Sequence, residues 1–258
     1  YLRSTDSFEL IEGMPLSYWI NEEGAKAFKE KNLAYYTDPK CGLKTGITEK
    51  YVLTWQEVSF ADIGFGFGDR PSAQRSGKKW FPVSDGQEFR KWYGNNYDVV
   101  YWHNDGYEIR HLYCDNGKLK SRPQNMDYYF KPCLTWSALT SKALSLRYSP
   151  VGNIISGAGY GLFSSDKVLL PIMAVLNSSI AKYYASCISE TLNFEVGVLA
   201  KIPIHKNIFD NTELVDLVQE NIALAKTEWD NYEISFEFSK HPLIGSSKYL
   251  ENCFENWS

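Results

Sequence analysis

The chain has 258 residues, 44% of them hydrophobic and 16% aromatic, and a net charge of −4 from 27 Lys and Arg against 31 Asp and Glu. That length allows one large domain or two small ones with a substantial core, and the aromatic content excludes a disordered polymer. Mild acidity excludes a protein that holds nucleic acid by bulk charge alone. The charge is uneven: residues 1–150 carry 20 Lys and Arg against 18 acids, whereas residues 151–258 carry 7 against 13. The longest apolar run, Val168 to Leu176, is interrupted by Pro171 and is too short to span a bilayer, so no membrane partner is expected. No secretory signal is visible, and a start at Tyr1 rather than Met is what a piece of a longer protein would show. Five cysteines (Cys41, Cys114, Cys133, Cys187, Cys253) lie far apart without a C-x-x-C pair. They predict neither a disulfide framework nor a zinc knuckle, and a reducing, cytoplasmic setting follows.

Residues 1–20 read as an extended apolar entry with Pro15 holding its predecessor out of helix. Asn21 is positioned to cap a short helix through Glu30, with Glu22 and Glu23 in its first turn. Thr37 to Gly46 reads as a loop whose glycines frame Leu43-Lys44-Thr45. It lacks the full phosphate-loop spacing and is either a tight turn or a nucleic-acid contact. Tyr51 to Val58 predicts a strand. Gly64, Gly66 and Gly68 do not have dinucleotide-loop spacing, and Pro71 follows where a helix should begin, so the segment reads as a connection or a bulged strand. Lys79 to Val83 and Tyr97 to His103 predict strands, and Asn104-Asp105-Gly106 a tight turn.

Tyr107 to Asn125 reads as a polar loop with a Lys118, Lys120, Arg122 cluster, the pattern of a solvated basic face. Asp127 to Trp136 is strand-like, Val151 to Gly161 irregular, and Leu162-Phe163 closes the sheet. Apolar spacing from Leu170 to Cys187 predicts one helix with Pro171 in its first turn. Phe194 to Val198 and Ile202 to Ile204 read as short strands. Asp210 and Glu213 stand at capping-box spacing before a helix carrying Leu214, Leu217, Val218, Ile222, Ala225 and Trp229. Tyr232 to Phe238 alternates before a stop at His241-Pro242.

The densest chemistry lies between Gly86 and Gly106, where Arg90 and Lys91 sit beside Trp92, Tyr93, Tyr97 and Tyr101 and the amides Asn95 and Asn96. Cations suit phosphates and guanine edges, amides suit adenine, and rings suit stacked bases. The alternative is a strand whose rings are simply core.

R-K-W-Y-G-N-N followed by V-V-Y-W-H-N-D-G resembles a signature of the PglX adenine-specific DNA methyltransferases of BREX phage-defence systems, parts of which recur in large type II restriction–modification proteins. In the same order come F-E-L-I-E-G-M-P-L-S-Y-W from Phe8, G-L-K-T-G from Gly42, W-Q-E-V from Trp55 and T-W-S from Thr135. R-Y-S-P-V-G from Arg147, T-L-N-F-E-V-G from Thr191 and E-W-D-N-Y-E-I-S-F-E-F-S-K-H-P-L from Glu228 complete the series. Adenine methylation requires a [DNS]-P-P-[YFW] motif to hold a flipped base, and this chain has no Pro-Pro pair. It also has no Glu-x-Lys nuclease pattern, and His103, His111, His205 and His241 show no metal-ligand spacing.

The resemblance therefore implies a C-terminal target-recognition region without a catalytic centre, a cofactor or a metal of its own. S-adenosylmethionine would belong to an N-terminal methyltransferase domain of the parent chain. The implied partners are double-stranded DNA, that catalytic domain and other BREX subunits. The expected fold is α+β, a twisted mixed or antiparallel sheet with flanking helices, divided into a sheet-rich DNA-reading part (residues 1–165) and a helical part (166–258). Expected DNA contacts are Lys44, Thr45, Arg90, Lys91, Tyr93, Asn95, Asn96, Trp136, Ser137, Arg147 and Tyr148. Motifs common to proteins that read different sites suit backbone or scaffold roles, which leaves base reading to the Phe65–Gln74 and Tyr113–Gln124 loops. A protein-interaction module built on the acidic second half is the alternative.

Overall fold

Asn21 caps a helix as expected: its side chain accepts from the Gly24 amide at 2.6 Å and starts a helix with two acids in its first turn. The computed structural model describes residues 19–138, 143–189 and 194–244, together with 249, 251, 252 and 254. The motif from Phe8, apart from Trp19, and the first three residues of the one from Thr191 lie outside these residues, as does Cys253.

The strands are β1 (Asp38–Lys40), β2 (Leu43–Lys44), β3 (Val52–Thr54), β4 (Trp80–Ser84), β5 (Asp98–Tyr101), β6 (Arg122–Pro123), β7 (Cys133–Ser137), β8 (Arg147–Ser149), β9 (Ile154–Ile155) and β10 (Gly159–Phe163). The helices are α1 (Glu22–Ala27), α2 (Leu33–Tyr36), α3 (Thr48–Tyr51), α4 (Arg70–Arg75), α5 (His103–Arg110), α6 (Asp166–Leu176), α7 (Ser179–Ile188), α8 (Val196–Ala200) and α9 (Thr212–Asp230). One antiparallel sheet has the order β1-β10-β7-β8, and a second has the order β3-β5-β4-β9 with a parallel pairing only at β4–β9. A short ribbon, β2-β6, stands apart from both. The fold is α+β, with mixed sheets flanked by helices.

Two cores hold these layers. Leu134, Trp136 and Leu162 of the first sheet pack against Ile172, Met173 and Leu176 of α6, with Leu199 and Val218 completing the cluster. The helices after residue 165 thus share a core with the sheet before it. Phe81, Val100, Trp102, Phe130 and Ile154 form the second core beneath the other sheet. Trp102 and Tyr129 meet edge to face there at 5.3 Å, the favoured geometry for aromatic pairs. No single helix among the described residues is long and apolar enough to cross a membrane; α6 and α7 pass that test only as a pair bent by 80°.

Several elements differ from expectation for identifiable reasons. The helix predicted over Leu170 to Cys187 is two helices. The break falls where the Asn177 side chain turns aside to hold the Leu146 backbone and Ser178 caps α7. Pro171 lies inside α6 rather than in its first turn because the helix begins earlier, at Asp166. Residues Val196–Ala200 form α8, not a strand. Asn211, not Asp210, caps α9 by accepting from Leu214 N at 3.0 Å. Asp69 caps α4, and Pro71 sits in its first turn, where proline lacks no needed donor, so a helix does follow the glycine segment.

Candidate nucleic-acid interface

The Gly86 to Gly106 stretch folds back on itself. Trp92 and Asn95 take left-handed backbone angles (φ 69° and 59°), and the Asn95 amide donates to the Glu88 carbonyl at 2.9 Å. A non-glycine residue seldom enters that region, and asparagine tolerates it best among them. Trp92 N donates to Leu146 O at 2.9 Å, and Tyr148 N to Trp92 O at 2.8 Å, stitching the loop to β8. Further on, Asn104, Asp105 and Gly106 form a left-handed turn at the start of α5. Any Cβ on Gly106 would strike the Trp102 ring, so glycine is required by both its φ of 68° and its contact. Asp105 accepts from Arg70 Nε at 2.8 Å and from Arg110 Nη1 at 2.7 Å, tying α4 to α5. The residues that carried the family likeness are the fold's turns and clamps.

The cations of this stretch are already engaged. Arg90 pairs with Glu228, donates from Nε to Tyr93 O at 2.8 Å and lies 4.9 Å from the Trp229 ring centre. Lys91 Nζ donates to Asn177 O at 2.5 Å, at the carbonyl end of α6, where a cation also complements the helix dipole. Arg147 is only 3% exposed and pairs with no carboxylate among the described residues. Burial pushes its guanidinium down to about 10, a pull that Tyr97 opposes and Arg90 reinforces, and it stays cationic at neutral pH. Trp136 is fully buried, with Nε1 donating to Phe194 O at 2.7 Å, and Ser137 Oγ donates to Gln87 O at 2.7 Å. Tyr148 is half-buried beside the first core. Tyr93 and Asn96 line an aromatic cavity of about 470 Å³ with Phe60, Phe65 and Phe236.

Lys44 and Thr45 have a different setting. Strand β2 is clamped on one side by Gly42 N to Ser156 O at 3.0 Å and by Gly157 N to Leu43 O at 2.7 Å. On the other side it pairs with β6 in the register Leu43↔Pro123 and Lys44↔Arg122. Directly opposed residues share a face, and like charges there repel, so this register costs stability unless an anion lies over it. The Lys44 and Arg122 side chains are exposed, whereas Thr45 is buried. Lys120 and Arg122 flank Ser121, which is fully buried and anchored by Oγ to Ile109 O at 2.5 Å. Before them stands a hairpin closed by Cys114 N to Lys118 O at 2.8 Å, with Tyr113 and Leu119 paired and largely exposed. Among the described residues, Lys44, Lys118, Lys120 and Arg122 have no ion-pair partner.

The structure thus joins two segments that sequence treats separately, G-L-K-T-G and the Lys118–Arg122 loop. Nothing in the residue types announced that pairing, since β2 was expected to be loop. A like-charged cross-strand pair is visible only once the register is known.

Two adenine-specific methyltransferases are similar to the chain. PglX of Lacticaseibacillus casei (strain Zhang) is 29% identical over 267 aligned residues, covering 100% of this chain and 22% of that protein. BrxX of Escherichia coli O9:H4 (strain HS) is 33% identical over 243, covering 93% of this chain and 19% of that protein. The chain therefore spans about a fifth of the length of the curated relatives it matches. It is a relative of BREX-type adenine methyltransferases over a segment corresponding to that fifth. No family model matches it.

Proposed function

We propose that this chain is the target-recognition region of an S-adenosylmethionine-dependent adenine-specific DNA methyltransferase of a phage-defence system, and that it presents duplex DNA to a catalytic domain elsewhere in the parent protein. The observation that carries the reading is the exposed β2-β6 ribbon, with Lys44 opposite Arg122, Lys120 alongside and, among the described residues, no ion-pair partner for any of them. Within it Lys120 and Arg122 suit a phosphate backbone, to which most protein–DNA hydrogen bonds go, and Lys44, whose stem lies over Gly157, is left for the groove. The adjacent hairpin presents Tyr113 and Leu119 beside Lys118 and Lys120, a combination suited to groove edges. A local basic patch on an acidic chain is coherent if the catalytic domain supplies the rest of the grip.

In this reading Lys44 remains a DNA contact, joined by Lys120 and Arg122, while the buried Thr45 belongs to the scaffold beneath them. Arg90, Lys91, Asn95, Trp136, Ser137, Arg147 and Tyr148 are engaged within the fold, and Tyr93 and Asn96 line the aromatic cavity. Methyl transfer belongs to the parent, since the residues that would hold S-adenosylmethionine and flip adenine have no counterpart in this sequence. The test is adenine-methylation mapping of host DNA by the parent enzyme with Lys120→Glu/Arg122→Glu. Loss of marking with the fold intact supports the reading; full marking at unchanged sites refutes it.

A further inference from the structure

At the foot of the ribbon lies a cleft of about 410 Å³ with apolar walls from Val52, Val83 and Val100. Lys44, Thr45, Thr48, Asp85 and Ser156 are its polar lining residues. The course of Lys44 across this cleft is fixed by contact: a Cβ on Gly157 would sit 2.5 Å from Lys44 Cγ, so the lysine stem lies directly on the glycine. Asp85 is fixed as well. Its Oδ1 accepts from Gly86 N at 3.0 Å and from the Ser156 hydroxyl. Oδ2 accepts no hydrogen bond among the described residues, and Asp85 has no ion-pair partner there. Asp85, held by one oxygen, and Lys44 thus line the same cleft, and neither has an ion-pair partner among the described residues.

Resting on the DNA-recognition reading above, we propose that this cleft reads one G·C base pair, with Asp85 Oδ2 accepting from the cytosine 4-amino group and Lys44 donating to guanine O6 and N7. The choice of bases follows from their edges. In the major groove guanine presents two adjacent acceptors, which suit an ammonium, and cytosine presents an amine without a neighbouring acceptor, which suits a carboxylate. Adenine fits poorly, because its N7 lone pair beside the 6-amino group would face the carboxylate. Thymine offers a carbonyl and a methyl group and no donor. The valine walls exclude water from the contact and raise the penalty for a wrong base, which would leave Asp85 buried without a donor.

The test uses the full-length parent methyltransferase. Its methylated motif is mapped, and duplexes carrying that motif are prepared with each cytosine replaced in turn by pyrimidin-2-one, which lacks the amine, or each guanine by 7-deazaguanine, which lacks N7. Wild type should lose about 10-fold or more in binding at one pair for either replacement. Asp85→Asn should be indifferent to the cytosine replacement at that pair and should admit A·T there in the mapped motif. Lys44→Ala, at an exposed position, should be indifferent to the guanine replacement, which keeps the test decisive if Asp85→Asn does not fold. Equal sensitivity of wild type and both variants at every position overturns the inference. In that case loss of binding by Lys120→Glu/Arg122→Glu leaves the recognition reading standing, and its retention removes both.

Discussion

The Arg90 loop and the β2-β6 ribbon are built from similar residue types and end in opposite states. In the loop, Arg90 and Lys91 are consumed by Glu228, the Tyr93 carbonyl and the Asn177 carbonyl, with Trp229 beneath the guanidinium. In the ribbon, Lys44 and Arg122 oppose each other in solvent with no ion-pair partner among the described residues. Cations inside the fold order a surface, and cations left without partners at a cost in repulsion mark where an outside anion is expected. The loop is the better signature of kinship because every relative must fold; the ribbon is the better candidate for contact.

The largest effect should come from the scaffold side of this contrast. Gly106→Ala forces a side chain into left-handed backbone against the Trp102 ring, and a loss of about 3 kcal/mol is expected, read as early unfolding in a urea titration. Next comes Arg90→Ala, which removes an ion pair, a hydrogen bond and a ring contact together. About 1–2 kcal/mol of local stability should be lost, seen as faster hydrogen exchange at the Tyr93 and Gly94 amides, with the methylated motif unchanged. If that variant keeps its stability and loses only DNA binding, the contrast collapses.

A smaller effect attaches to Asp98. Burial, and then the nearby Asp85 charge, raise its carboxyl to about 6, above its ordinary unfolded value. A raised acid favours the folded state while protonated, so this contribution is present at pH 4 and lost as pH rises through about 6. Asp98→Asn should flatten that slope and gain about 1 kcal/mol at pH 7 once solvent screening is allowed for, measured by melting at pH 4.5 and 7. The smallest effect on stability belongs to the ribbon. Lys120→Glu/Arg122→Glu should change it by less than about 0.5 kcal/mol while weakening DNA binding and lowering its salt dependence.

Part of this was legible in the sequence. Asn21 as a cap, the strands around Val83 and Val100, and the Asn104-Asp105-Gly106 turn follow from local rules, because each is decided within a few residues. The break between α6 and α7 was not, since it depends on Asn177 reaching Leu146, 31 residues away in the chain. The fate of Arg90 depends on Glu228, 138 residues on, and that of Lys91 on Asn177, 86 residues on. Residue type told that these positions carry charge; only the fold told which charges were already spent. The ribbon illustrates the same limit from the other side, because Lys44 and Arg122 become a pair solely through register.

The most direct measurement is DNA binding by the full-length parent protein as a function of salt, for wild type, Arg90→Ala and Lys120→Glu/Arg122→Glu. The account predicts that charge reversal in the ribbon weakens binding at least 10-fold and reduces the salt slope by about 1 per phosphate contact removed, with Arg90→Ala close to wild type. Unchanged affinity and slope for the ribbon variant, with the loss appearing in Arg90→Ala instead, would contradict it.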